Sequence, residues 1–367
     1  MKRKSIRKVV VPGVAMLALA LTGCSAGNEG GSDDSGDGTG SLSGQLSGGG
    51  ASTQQAAMGA WAVGFQAKHP EVTVNYDPIG SGGGRENFVS GAFPFAGSDA
   101  YLTDDEGELS AADERCGGTA IEIPSYVSPI AVAYNVPGVD ELNLQPATLA
   151  GIMAGKIKTW DDAAIAADNP EADLPSERIN AVHRSDESGT TENFTDYLDA
   201  VAGDVWDAGV VETWPTEYGG EGAKGTSGVV QTVTNSNYSI GYADASQTAD
   251  LGQANIGVGS DYVAPSAEAA AKILEVSPAA DVATETKLVF DLDHTTQEAG
   301  TYPIVLTSYF LACTSYDSAE EADLVKAFAE YILSAEGQDQ AAAEAGSAPL
   351  SEGLTEQALA IVDQIAS

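Results

Sequence analysis

The chain has 367 residues, of which 54 are Asp or Glu and only 16 are Lys or Arg, so its formal net charge is −38 at pH 7. A surface with this excess of negative charge repels nucleic acid and anionic lipid, which argues against both as partners. The same charge gives an anionic ligand no long-range attraction, so any anion site has to rely on local hydrogen bonds.

The N-terminus has the pattern of a lipoprotein signal peptide. Basic residues within 2–8 precede an apolar run over 9–21, which is followed by Gly23 and Cys24. The run is too short for a permanent membrane helix, and a Cys directly after small residues is a usual site of lipid attachment. We predict a signal peptide over 1–23, lipidation of Cys24 with diacylglycerol and palmitate, and anchoring to the extracellular face of the cell membrane. An uncleaved anchor helix is the alternative.

Residues 25–50 consist mostly of Gly, Ser, Asp and Thr. Such a composition cannot build a hydrophobic core, so it predicts a flexible tether, which we assign to residues 24–47. What remains, about 320 residues, is more than one hydrophobic core usually serves, and two lobes are therefore expected.

Beyond the tether, strand-like runs alternate with helical ones. Apolar residues recur at helical spacing over 56–69, residues 72–76 have the pattern of a strand, and a second helix is expected over 85–90. Further helices are predicted over 191–200 and 319–345. This alternation predicts the α/β class, with a largely parallel sheet and ligands at the strand ends.

Two apolar stretches, 126–134 and 302–313, are rich in β-branched and aromatic residues although they lie far apart in the chain. They are predicted to pair as strands that carry the chain between the lobes. The first lobe would then comprise 48–127 and 303–367, and the second lobe 128–302.

Lipidation of Cys24 leaves Cys116 and Cys313 as an even pair in an exported chain. The extracellular compartment favours oxidation, so a disulfide between the two is expected. Two separate buried thiols are the alternative.

Four polar clusters combine Gly or small hydroxyl residues with a predicted helix start. They are 50–53, 80–84, 97–99 and 184–190. A helix N-terminus carries unpaired backbone N–H groups and partial positive charge, so it can hold an oxyanion without a counter-ion. Ser and Thr add hydroxyl donors, and Arg184 adds a bidentate charged donor. Each cluster alone is an ordinary cap or turn, but the four together indicate an oxyanion site.

Asp99 is the informative residue of these clusters. A carboxylate among anion-binding donors is repulsive unless it accepts a proton from the ligand. Phosphate carries such a proton near neutral pH and sulfate does not, so Asp99 predicts selection of a protonated oxyanion. The alternative interpretation is that Asp99 caps the following turn or pairs with Arg184, a pairing that Asp186 could make instead.

With these clusters the chain resembles the phosphate-binding subunit of the high-affinity phosphate ABC transporter, the PstS family. The resemblance covers residue 48 to the C-terminus, and the lipobox and cysteine pair are similar to those of the actinobacterial lipoproteins of this family. Its motifs occur in the family's order, at 50–53, 79–83, 97–99, 155–162, 184–190, 222–225 and 240–242.

This resemblance implies a two-lobed periplasmic-binding-protein fold of type II, which closes over one dehydrated phosphate and delivers it to the transporter's permease. The family often has Thr followed by Phe where this chain has Ser52 and Thr53, so Ser52 keeps a hydroxyl donor and Thr53 is expected to contribute its backbone alone. Glu187 is an additional acid beside the site. A monomer without cofactor or metal is expected. The implied phosphate-binding residues are Ser52, Thr53, Ser81, Asp99, Arg184, Ser188, Gly189 and Thr190.

An enzyme is one alternative, since some proteins that resemble this family are phosphatases. However, His69, His183 and His294 lack metal-ligand spacing, and the sequence has neither a Gly-x-Ser-x-Gly nucleophile elbow nor a Walker A motif. We therefore expect no catalytic residues.

Binding of sulfate, molybdate or arsenate on the same fold is a second alternative; Asp99 argues against the fully ionised anions but not against arsenate. A receptor-like or adhesive role is a third.

Overall fold

The computed structural model describes residues 42–105 and 107–366. The predicted signal peptide, Cys24 and most of the predicted tether lie outside these residues. Within the described part of the chain, no helix combines the length and apolarity needed to cross a membrane.

The strands are β1 Ser43–Gly50, β2 Glu71–Asp77, β3 Ala96–Ser98, β4 Ala120–Asn135, β5 Asn143–Leu144, β6 Asn180–Arg184, β7 Glu221–Ala223, β8 Ser239–Asp244, β9 Gly252–Gln253, β10 Asn255–Val258, β11 Asp261–Val263 and β12 Val305–Cys313. The α-helices are α1 Gln55–Lys68, α2 Ser81–Val89, α3 Glu108–Arg115, α4 Pro146–Met153, α5 Ala163–Asp168, α6 Gly189–Ala202, α7 Gly225–Asn235, α8 Ala267–Val276, α9 Ala319–Leu333, α10 Ala335–Ala345 and α11 Glu352–Val362.

The main sheet has the strand order β2-β1-β3-β12-β4-β8-β6-β7. Its two outer parts are parallel, since β1 runs parallel to β2 and β3, and β6 runs parallel to β7 and β8. Between them, β4 pairs antiparallel with β12 over 120–129 and then with β8 over 130–135. The predicted α/β class and the predicted pairing of the two distant apolar stretches are therefore confirmed. The sheet is mixed and not largely parallel as predicted, because β4 and β12 at its centre run antiparallel to their neighbours.

Two large hydrophobic cores lie on the two parts of this sheet. The first contains Trp61, Phe95 and Phe328, and the second contains Trp160 and Phe194. We call the elements around the first core the first lobe, and those around the second core, together with β6, β7, β8 and α7, the second lobe. Because β4 contributes side chains to both cores, it connects the lobes. The predicted residue boundaries of the lobes stay a prediction.

Strand β1 corrects the predicted extent of the tether. The Gly- and Ser-rich composition predicts flexible chain for residues 43–47, whereas these residues begin β1, which lies between β2 and β3. Leu46 is fully buried. A Cβ at Gly48 would lie 2.5 Å from the ring of Phe95. Glycine therefore permits close aromatic packing here, and composition alone could not distinguish this use from flexibility.

Helices α1, α9 and α10 confirm the helices predicted over 56–69 and 319–345. Helix α2 differs, because it begins at Ser81 inside the glycine cluster rather than after it. A Cβ at Gly84 would lie 2.5 Å from the Cα of Gly50, so glycine lets this helix pack directly on β1. Tertiary packing here overrides the low helix propensity of glycine.

A disulfide joins Cys116, at the end of α3, to Cys313, at the end of β12. It links residues 197 positions apart in the sequence, and both are buried. The predicted pairing is confirmed.

Candidate oxyanion-binding site

The starts of four helices meet between the two lobes. In the first lobe, Ser52 begins the short 3-10 turn before α1, and Ser81 begins α2; in the second, α6 begins at Gly189 and α7 at Gly225. The side-chain oxygens of Ser52 and Thr226 share a hydrogen bond of 2.9 Å across this boundary. Since each helix start presents backbone N–H groups and partial positive charge, the place is suited to an anion.

Asp99 is the acceptor in this region, and its side chain is buried. Its carboxylate accepts hydrogen bonds from the hydroxyls of Thr53 at 2.7 and 2.8 Å, Ser308 at 2.7 Å and Thr190 at 3.0 Å. Burial raises the pKa of Asp99, while these three hydroxyls and the charge of Arg184 act in the opposite direction. The site therefore combines many hydrogen-bond donors with one buried carboxylate that accepts hydrogen bonds.

Arg184 is the charged donor and is 2 % exposed. Its Nε and Nη2 donate to the carboxylate of Asp186 at 2.8 and 2.6 Å, and its Nη1 lies 3.5 Å from the Thr190 hydroxyl. Burial acts to raise the pKa of Asp186, but the hydrogen bonds and charge of Arg184 outweigh it and hold that pKa below its ordinary value. Asp186, and not Asp99, is thus the partner that orients the guanidinium.

Gly189 allows the second lobe to approach the first closely. A Cβ at this position would lie 2.7 Å from the backbone nitrogen of Ala100 and 2.8 Å from the carbonyl carbon of Asp99. One turn later, Asn193 donates its side-chain amide to the backbone oxygen of Asp99 at 2.8 Å. Ser188 caps the helix, since its hydroxyl accepts from the Thr191 N–H at 3.2 Å. The start of α6 is therefore held against residues 99 and 100, which follow β3.

The eight residues predicted to bind phosphate lie together in one buried region. Ser81 accepts from the Asp99 N–H at 3.2 Å, which places the start of α2 beside the carboxylate. The hydroxyl of Thr53 donates to Asp99. The resemblance to the PstS family did not suggest this role, since it implied a contribution from the Thr53 backbone alone. The buried residues are Ser52, Thr53, Ser81, Asp99, Arg184, Ser188, Gly189 and Thr190.

Sequence reasoning missed Ser308 and Thr226. Ser308 lies in β12, whose apolar residues predicted a buried strand. A hydroxyl side chain within that apolar run was the signal that could have identified Ser308. Thr226 follows Gly225 at a helix start, in the same way that Thr190 follows Gly189. The repeated Gly-Thr pair was therefore the signal that could have identified Thr226.

The three histidines take other roles. The ring of His69, at the end of α1, lies against that of Phe65, with 4.6 Å between the ring centroids. His183 stacks on Trp214 with ring centroids 4.9 Å apart, and its Nδ1 lies 2.8 Å from the backbone oxygen of Arg184. His294 is buried, with its Nδ1 2.7 Å from the backbone oxygen of Pro303. Over residues 42–105 and 107–366, no three His, Cys, Asp or Glu side chains are grouped to hold a metal ion.

Sequence comparisons agree with this geometry. A family model described as the PBP superfamily domain matches residues 35–336. Phosphate-binding protein PstS 3 of Mycobacterium tuberculosis is 37 % identical over 290 residues, which cover 78 % of this chain and 78 % of that protein. Phosphate-binding protein PstS 2 of the same organism is 33 % identical over 366 residues, which cover 96 % of this chain and 97 % of that protein. The chain belongs to the PstS family.

Solved structures show the fold of this PstS-family chain. A high-affinity periplasmic phosphate-binding protein, PfluDING, solved with bound phosphate, has a TM-score of 0.68 and 23 % identity, with 85 % of this chain and 92 % of that chain covered. The phosphate-binding protein of Stenotrophomonas maltophilia has a TM-score of 0.68 and 20 % identity, with 86 % and 93 % covered. The predicted two-lobed, type II periplasmic-binding-protein fold is confirmed.

Proposed function

We propose that this protein captures inorganic phosphate outside the cell and delivers it to the permease of an ABC transporter. The observation that carries the proposal is the position of Asp99, a buried acceptor surrounded by hydroxyl donors and helix starts. An anion held there has to bring a proton for Asp99, as phosphate does near neutral pH and sulfate does not. The names of the PstS relatives, and the neighbour solved with bound phosphate, support the same ligand.

Both lobes contribute to the proposed phosphate site, and closure follows from this division. An anion that bridges the two sets of donors stabilises the closed arrangement, which the permease would then recognise. Strands β4 and β12, which lie between the parallel parts of the sheet, are the proposed hinge. The contacts proposed from the first lobe are Ser52, Thr53, Ser81 and Asp99, and those from the second are Arg184, Ser188, Gly189 and Thr190.

The protein acts in this proposal as a binding protein and not as an enzyme. His183, the histidine next to Arg184, is a poor candidate base because its ring is stacked on Trp214 and its Nδ1 contacts a backbone oxygen. Burial lowers the pKa of His183, which makes its ring a weaker base. A lipid anchor at Cys24 would hold the protein, as a monomer, at the extracellular face of the membrane.

Calorimetric titration tests the proposal. Protein freed of bound anion by unfolding and refolding is titrated with phosphate, sulfate and arsenate. We expect one-to-one binding of phosphate, no heat from sulfate, and competition by arsenate, which is protonated like phosphate. If natively refolded protein binds no phosphate, the proposed function is wrong. A turnover assay with a phosphomonoester should show no hydrolysis; activity that disappears in Arg184→Ala would instead support an enzyme.

A further inference from the structure

Arg85 joins the two lobes beside the proposed phosphate site. It lies on α2, one turn after Ser81, and its side chain is only 4 % exposed. Its Nε donates to Glu108 of its own lobe at 2.7 Å, and its Nη2 donates to Glu212 of the second lobe at 2.6 Å. The guanidinium is therefore held from the first lobe and forms its other short ion pair across the cleft.

Arg85 and Glu212 each also form a hydrogen bond to a residue in or next to the proposed phosphate site. In the second lobe, the backbone oxygen of Glu212 accepts a hydrogen bond from the N–H of Ser188 at 3.2 Å. In the first lobe, Nη1 of Arg85 donates at 3.3 Å to Ser98, the residue before Asp99. Arg85 thus contacts one neighbour of the site in each lobe without belonging to the proposed set of phosphate contacts.

The surroundings of Arg85 are strongly acidic. Glu108 faces it from the first lobe, and Glu187, Glu192 and Glu212 lie around it from the second. Burial, together with the proximity of Glu212, raises the pKa of Glu187 to about 7 and that of Glu192 well above its ordinary value. Closing the lobes brings Glu108 of the first lobe towards these second-lobe glutamates, and Arg85 is the cation that lies between them.

We propose that Arg85 is a positioning residue for phosphate capture, whose guanidinium links Glu108 to Glu212 and holds the second lobe closed over the bound anion. This inference rests on the proposed function and concerns the lifetime of the closed complex, not the choice of anion. When the lobes separate, the Arg85–Glu108 pair stays within the first lobe and the Arg85–Glu212 pair breaks. The dissociation rate of phosphate should therefore depend on Glu212, and the association rate much less.

Glu212→Gln is the sharpest variant, because it removes the charge from the second lobe and leaves the Arg85–Glu108 pair in place. Stopped-flow measurements with phosphate should give dissociation about 5 to 30 times faster than in the wild type, with association within about threefold. Glu212→Asp, which keeps the charge, should restore part of the slow dissociation. Glu336→Gln is the matched control, since it breaks the exposed Lys68–Glu336 pair at 2.7 Å and should change neither rate.

A double-mutant cycle of Arg85→Met with Glu212→Gln tests the direct contact. The two substitutions together should cost little more than either alone. Should Arg85→Met fail to fold, Glu108→Gln replaces it, with a smaller effect expected because Glu108 does not cross the cleft. Unchanged dissociation in Glu212→Gln, alongside normal phosphate binding by the wild type, overturns this inference and leaves the proposed function standing. Absence of phosphate binding by the wild type overturns both.

Discussion

Thr190 of the second lobe donates its hydroxyl to the carboxylate of Asp99 in the first lobe, with 3.0 Å between the two oxygens. The same hydroxyl lies 3.5 Å from Nη1 of Arg184, so it stands between the acceptor and the charged donor. A buried carboxylate has to be supplied with donors, and here they come from both lobes. Closure of the lobes and satisfaction of Asp99 are therefore coupled.

Asp99→Asn should reduce the discrimination between phosphate and sulfate. The amide keeps the size of the side chain but replaces one acceptor oxygen by a donor, so a protonated ligand loses its partner and a fully ionised one is no longer repelled. We expect phosphate affinity to fall by about 10- to 100-fold and sulfate binding to become detectable by calorimetry. Asp244→Asn is the control, since Asp244 is also buried and accepts from Ser128 at 2.6 Å. Equal loss of selectivity in both variants would contradict the role of Asp99.

Arg184→Ala should leave the protein folded but weaken phosphate binding strongly. Loss of a charged donor to a buried anion costs on the order of 2 to 5 kcal/mol, which corresponds to about 30-fold to several thousandfold in affinity. Arg184→Lys should recover only part of the loss, because Lys keeps the charge but cannot also make both bonds to Asp186. Circular dichroism checks the fold, and calorimetry measures the affinity. An affinity within threefold of the wild type would remove Arg184 from the site.

Gly189→Ala should prevent full closure. The added Cβ would lie 2.7 Å from the backbone nitrogen of Ala100, and a backbone atom cannot move aside as a flexible side chain can. We expect a loss of phosphate affinity of about tenfold or more, with the midpoint of thermal unfolding close to that of the wild type. Gly59→Ala is the control, because a Cβ at that helical position meets no atom within 4 Å. Normal affinity in Gly189→Ala would show that the lobes need not approach so closely.

Glu122 should make the folded state less stable as the pH rises. It is fully buried in β4, and burial raises its pKa to about 8, from an ordinary value of 4.5. One carboxyl oxygen accepts from the Leu102 N–H at 2.9 Å, and the other has no hydrogen-bond partner among the described residues. Because the folded state holds this proton more tightly than the unfolded state, the stability contribution is complete below about pH 4.5 and is lost as the pH rises through about 8.

Glu122→Gln should therefore raise the free energy of unfolding by about 2 to 4 kcal/mol at pH 9 and by little at pH 5. Urea denaturation at the two pH values measures the difference. Glu217→Gln, at an exposed position, should change neither value. An equal gain from Glu122→Gln at both pH values would point to packing and not to ionisation.

The site was largely visible in the sequence because helix starts are local features. Gly, Ser and Thr before an apolar helical pattern mark backbone donors wherever the helix finally packs, and Arg184 and Asp99 stood out as charges among them. The alternation of strands and helices, and the even pair of cysteines, are equally local or compositional. These signals were sufficient for the α/β class, the disulfide and the four polar clusters, whereas the choice of eight binding residues within the clusters came from the resemblance to the PstS family.

Tertiary structure alone decided which distant side chains meet. Ser308 reaches Asp99 across 209 positions, and Thr226 reaches Ser52 across 174. Residues 43–47 form a strand because β2 supplies their backbone partners. Arg85 joins the lobes because Glu212 of the second lobe lies opposite it. A sequence pattern records the donors and acceptors of one segment, whereas the pairing of segments depends on the packing of the whole sheet and both cores.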